Sequence, residues 1–221
     1  MLVKFAARVR GLFAGDYPEN REDEQLHINN RGDQIVAPGL PELTELVRLG
    51  DSWQVKTATA FAALTTEPTT TAALSLWNGE PAGMGKCYAI DSVAVWERVV
   101  DATQQNQLAL FAMLNRPAVA APTDDTNLTI RSLSGRSYGG TARKVVGLAV
   151  ADHGWFPAGN TNPNAAAVAG GAWRVHDVPL RGLYLVPPGG LFSLHAAKIA
   201  ATASQLHAVI RWHEVRLKYA A

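Results

Sequence analysis

The chain has 221 residues, of which 48% are hydrophobic and 18% charged, and its formal net charge at pH 7 is +1. A chain this long buries roughly 70% of its unfolded surface and needs no metal or crosslink to hold a core. Its single cysteine, Cys87, excludes an intrachain disulfide framework. Near-neutral charge gives no electrostatic footprint for nucleic acid, and no apolar run approaches the ~20 residues of a transmembrane helix. Neither nucleic acid nor a membrane is therefore expected as a partner.

The first fourteen residues, MLVKFAARVRGLFA, place Leu2, Phe5, Val9, Leu12 and Phe13 on one helical face and turn Lys4 and Arg8 away from it. Arg8 and Arg10 interrupt the uncharged stretch that a secretory signal requires, so a short docking helix is expected instead. Such a helix is marginal in water on its own. Its apolar stripe needs cover, and a neighbouring subunit is the expected cover. Residues 15–25, GDYPENREDEQ, are polar and charged and form a linker. The chain thus divides into an N-terminal arm, residues 1–33, and a β domain, residues 34–221.

Beyond the arm, short apolar or alternating runs recur: Gln34–Ala37, Val47–Lys56, Ala72–Trp77, Cys87–Trp96, Leu108–Leu114, Asn127–Leu133, Lys144–Ala151, Leu180–Val186, Leu191–His195 and Leu206–Leu217. Breakers such as Asn78-Gly79, Pro122, Gly139-Gly140 and Pro187-Pro188-Gly189-Gly190 separate them. Asn127–Leu133 alternates most strictly, with Leu128 and Ile130 opposite Asn127, Thr129 and Arg131. Cys87–Trp96 and Leu108–Leu114 are apolar on both faces, as in strands covered on both sides. Leu191–Ala203 has an Ala-rich middle that also tolerates helix. Many short strands without long helices predict an all-β fold, a jelly-roll-like antiparallel β-sandwich of roughly eight strands.

The last run changes phase. Leu206, Ala208, Ile210 and Trp212 share one face, but beyond His213 the apolar set moves to Val215, Leu217 and Tyr219. Strand faces alternate strictly, so the switch calls for a bulge or a second buried surface. Val215, Leu217 and Tyr219 are expected to meet a neighbour. Together with the arm residues they form the expected assembly interface of a homo-oligomer. A charged fraction below the usual ~25% fits a surface that is partly buried between subunits.

Candidate chemical motifs are incomplete. In Gly79–Cys87, GEPAGMGKC, the spacing from Gly79 to Gly85-Lys86 is one residue longer than a phosphate-binding loop allows, and Cys87 replaces the hydroxyl. A hairpin loop explains it. Arg31-Gly32-Asp33 resembles an integrin-binding tripeptide, and Asn127-Leu128-Thr129 is a glycosylation sequon; both are too short to carry a function alone. The histidines lack short ligand spacing. Gly182, Pro188 and Gly190 match part of the second cupin motif, but Ser193 stands where its histidine belongs and His195 comes two residues later. No catalytic residue, metal ligand or cofactor-binding residue is expected, so a cupin-like metal enzyme is disfavoured. Two loops, Ser132–Thr141 with Tyr138 and Trp155–Pro163, offer aromatic rings for stacking on sugars.

Several segments carry a family resemblance: Arg31–Trp53 (RGDQIVAPGLPELTELVRLGDSW), Thr69–Gly79 (TTTAALSLWNG), Tyr88–Asp91 (YAID), PLRGLYLVPPGG and VIRWHEV. They resemble tailed-bacteriophage virion proteins with a jelly-roll body, of the capsid cement, decoration or head-fibre type. The resemblance spans most of residues 30–217. It implies a non-enzymatic structural protein located in the virion, assembled as a homotrimer and contacting the major capsid protein or other virion proteins. It carries over no catalytic residue. The alternative within the same resemblance is a receptor- or glycan-binding tip of a phage fibre.

Overall fold

Apolar runs bounded by Gly, Pro and Asn turns fold into strands because each run can bury one face against another sheet. The computed structural model describes residues 47, 49–81, 86–99, 108–116, 119–161, 174–198 and 205–216. Among these residues the strands are β1 (Ser52–Lys56), β2 (Thr71–Trp77), β3 (Lys86–Val99), β4 (Leu108–Asn115), β5 (Arg131–Ser132), β6 (Arg143–Ala149), β7 (Phe156–Thr161), β8 (Arg174–Val186), β9 (Leu191–Lys198) and β10 (Gln205–Arg216). They form two antiparallel five-stranded sheets, with orders β5-β1-β10-β3-β8 and β6-β2-β9-β4-β7. We call these sheet 1 and sheet 2.

The pairing is nested. β1 pairs with β10, β2 with β9, β3 with β8 and β4 with β7. This is a long hairpin folded over on itself, which is the jelly-roll arrangement of eight strands. The remaining two strands, β5 and β6, come from the tip of that hairpin and extend each sheet at its β1 or β2 edge. The expected fold class is therefore found, with two strands beyond the expected eight.

The inner faces interleave into one core. Leu206, Ala208, Ile210 and Trp212 of β10 are fully buried and meet Trp53, Tyr88 and Ile90 of sheet 1 and Leu74, Leu110, Phe192 and Leu194 of sheet 2. Burying each of the large residues contributes about 1.5–3 kcal/mol. Sheet 2 has a second apolar layer on its other face, where Met113 and Leu191 pack with Val150 and Trp155. On β3, Cys87, Ala89 and Ala94 are buried on the face opposite Tyr88 and Ile90. These layers explain why β3 and β4 are apolar on both sides.

The phase change in β10 has a local cause. Arg211 is aligned with Ser92 but Trp212 with Ile90, so Asp91 of β3 is an extra residue. The bulge sits in β3. Glu214 stays on the Trp212 side, directly opposite Tyr88, where Lys86 neutralises it at 2.5 Å. A charged residue thus occupies an inward position at the sandwich end, and the sequence pattern reads as a flip. On the other flank of Asp91, Ile90 is aligned with Tyr184 and Ser92 with Pro179, so Leu180–Leu183 bow out of register. Arg181 (φ 49°) and Gly182 (φ 75°) turn the chain there.

Two expectations need correction. Asn127–Leu133 is a strand only at Arg131–Ser132, because Asp125 Oδ1 accepts the Asn127 N–H at 2.9 Å and holds the preceding residues in a turn. The alternation of exposure nevertheless persists, with Leu128 buried and Asn127 and Thr129 exposed. The segment beginning at Trp155, read as a loop, contains strand β7. Pro157 is tolerated there because β7 is a sheet edge. The strand expected at Leu191–His195 is found as β9, which pairs along its length with β4, so the Ala-rich stretch that also tolerated helix is extended through Lys198. The arm, residues 1–33, and the run Gln34–Ala37 lie outside the described residues.

Candidate assembly surface

β7 and β8 are the outer strands of their sheets and lie side by side, with Gly159 against the Val178 side chain. An outer strand presents unpaired backbone N–H and C=O groups, which natural proteins usually protect with charge or cover. Here several outward side chains are apolar, beside the exposed Asp177 and Arg181 of β8. Leu183 is 75% exposed, Val175 64% and Phe156 61%, with Leu185 also exposed. The bowed segment around Arg181 pushes Leu183 outward. The sequence places Leu183 and Leu185 in a strand, but only the sheet order reveals that this strand has no partner on its outer side among the described residues. On the opposite edge, Leu49 and Leu133 are exposed beside β1 and β5.

Of the expected interface residues, Val215 is the one within the described set. It is half-buried on the outer face of sheet 1, opposite Cys87. Leu2, Phe5, Val9, Leu12, Phe13, Leu217 and Tyr219 lie outside the described residues, as does Arg31-Gly32-Asp33.

The polar groups on the outer face of sheet 1 pair with one another. His213 Nδ1 donates to Asp91 Oδ1 at 2.6 Å, so the bulged residue is held by the next strand. Arg211 donates to Ser92 Oγ at 2.9 Å and to Asp177 Oδ2 at 2.8 Å. His207 stacks on Trp96 with ring centroids 5.0 Å apart. At the sandwich end, Lys86 lies 3.6 Å from Glu80 as well as against Glu214. A strand follows Lys86, whereas a phosphate loop would open a helix.

The remaining candidates are also engaged. Ser193, at the cupin histidine position, shares a hydrogen bond of 3.0 Å with Ser75. His195 Nδ1 accepts the Ala196 N–H at 2.8 Å, and the ring meets Phe61 edge-on. Burial holds the His195 pKa below its ordinary value. The ring also lines a small cavity of about 270 Å³ with Thr57, Thr71 and Val146. Among the described residues, no three His, Cys, Asp or Glu side chains come together as a metal site.

Tyr138 and Trp155 point inward, whereas Phe156 of the second loop is exposed. Tyr138 packs edge-on against Trp53 at 4.8 Å, and its hydroxyl accepts the Ala142 N–H and contacts the Tyr88 hydroxyl. Burial raises both phenol pKa values, that of Tyr88 to about 12. Trp155 is buried and donates to Thr69 O at 2.9 Å. Neither ring is presented for stacking on a sugar.

No family model and no curated protein sequence matches the chain. Among solved structures it is weakly similar to a chain in a cryoEM structure of Mud Crab Dicistrovirus. The two share 12% sequence identity over 94% of this chain and 87% of that one, with a TM-score of 0.23. A similarity at that level carries no functional argument.

Proposed function

We propose that the protein is a non-enzymatic virion structural protein, a jelly-roll subunit that decorates or cements a tailed-phage capsid through homotrimeric contacts. Its further partner is the major capsid protein or another virion protein. The observation that carries this reading is the uncovered apolar edge formed by β7 and β8, with Phe156, Val175, Leu183 and Leu185 exposed. Obligate subunit interfaces are large, often above ~2,000 Å², and rich in such side chains. The groups equipped for chemistry are engaged within the subunit: His213 with Asp91, Arg211 with Asp177, Lys86 with Glu214. That distribution supports assembly over catalysis. The segment resemblance to phage virion proteins points the same way.

The test is light scattering on the purified full chain at micromolar concentration. A mass three times that of the subunit is expected, and Leu183→Asp should lower it while leaving the β-rich circular dichroism spectrum unchanged. A stable monomer in the parental protein would contradict the proposal. A dimer would contradict the stoichiometry.

A further inference from the structure

A groove of about 580 Å³ runs over the outer face of sheet 2. Its apolar lining includes Val119, Leu148, Val150 and Leu191, part of the second hydrophobic layer. At one end of the lining stands Asn115, the last residue of β4, which is almost fully buried. Its Nδ2 donates to Ala151 O at 2.9 Å, while its Oδ1 is buried without a donor. A buried amide oxygen left without a donor is costly, because water no longer solvates it. The groove also borders the exposed Arg116 and His153. The His153 N–H meets the Met113 sulfur at 3.3 Å, a weak acceptor.

These features specify an occupant. The lining calls for apolar side chains, and the exposed Arg116 beside it for carboxylates nearby. One segment of this chain supplies both in order. The arm carries the stripe Leu2, Phe5, Val9, Leu12 and Phe13, then Asp16, Glu19, Glu22, Asp23 and Glu24. About ten residues of extended chain reach ~33 Å, enough to bring the acidic run to Arg116 from a stripe seated on the lining. We propose that this groove receives the arm, residues 1–24, of a neighbouring copy of the chain. The proposal rests on the homo-oligomeric reading above and adds to it the site at which subunits clasp one another.

Crosslinking of full chains tests it. Leu12→Cys in one chain and Val119→Cys in a second, differently tagged chain are co-expressed, and oligomers carrying both tags are isolated. The native Cys87 is buried and should not react. A short bismaleimide should then join the two tagged chains into a band of twice the subunit mass. Arg116→Glu in the receiving chain should reduce that band roughly tenfold, because a reversed charge beside the groove repels the acidic run.

Two results would overturn the proposal: absence of the band, or, in a companion sample whose chains each bear both cysteines, crosslinking confined to a single chain, which would place the arm on its own subunit. An unchanged yield with Arg116→Glu would overturn the assignment of the acidic run to that part of the groove. Light scattering on the same samples separates the two readings. An oligomer without arm crosslinks defeats the clasp alone, whereas a monomer defeats the homo-oligomeric reading as well.

Discussion

Glu97 lies near the end of β3 in sheet 1 and Lys198 at the end of β9 in sheet 2, so their ion pair ties the two sheets together across the sandwich. Both side chains are almost completely withdrawn from water. Two charges in such a place are costly to desolvate, and mutual attraction offsets that cost only while both are present. Glu97→Gln keeps the shape but removes the carboxylate that pairs with the buried Lys198 ammonium across the sheets, which should cost about 3–5 kcal/mol. Against a total stability of about 5–15 kcal/mol for a domain, that is a large fraction. The double variant Glu97→Leu/Lys198→Met removes both charges and fills the space with apolar atoms; it should be neutral or more stable by up to about 1–4 kcal/mol. Urea unfolding at fixed protein concentration measures the cycle. With a slope of about 2–3 kcal/mol per molar urea, the Glu97→Gln midpoint should fall by about 1–2.5 M. A single-variant loss below about 1 kcal/mol would refute the reasoning, as would a double variant that equals the sum of its singles.

Other consequences are as direct. Trp212→Ala should cost about 3–5 kcal/mol in the same assay, since the ring is fully buried between the sheets. Arg181→Gly should stabilise the subunit by about 1 kcal/mol by relieving a left-handed backbone at φ 49°, whereas Gly182→Ala, at φ 75°, should destabilise it by a similar amount. His195 titrates in the opposite sense to a salt-bridged histidine. Burial lowers its folded pKa, so the unfolded chain takes up a proton first as pH drops below the ordinary 6.5. Its stabilising contribution is full above that pH and is lost as pH falls toward the folded pKa. Urea midpoints should therefore decline below about pH 6.5, and His195→Gln should flatten that decline. An identical pH dependence in the variant would contradict the assignment.

The sandwich was legible in the sequence because its strands are short apolar runs between strong breakers. Leu206, Ala208, Ile210 and Trp212 announce their inward face by simple alternation, and all four are buried. Nested pairing was not legible, because β1 finds β10 only after the whole chain between them has folded. β7 escaped notice because Pro157 and Gly159 lower strand propensity, and only the position at a sheet edge tolerates them. The switch beyond His213 was read correctly as an irregularity, but the extra residue, Asp91, belongs to the partner strand. Sequence can show that a pattern breaks; which of two paired strands yields depends on both. The apolar edge shows the same limit. Leu183 and Leu185 look like ordinary strand residues until the sheet order puts β8 at the edge, paired with β3 on one side alone among the described residues. The loop aromatics were misread for a related reason. Tyr138 and Trp155 sit among Gly and Pro, yet their polar atoms find Ala142 and Thr69 inside the fold.

A low-resolution cryoEM map of the protein in its native particle tests the central claim most directly. The account predicts sandwich-shaped density on the capsid in which the β7–β8 edge of each copy is covered by a neighbouring copy, burying Leu183 and Val175. A particle without this chain, or one in which that edge faces open solvent, would contradict it.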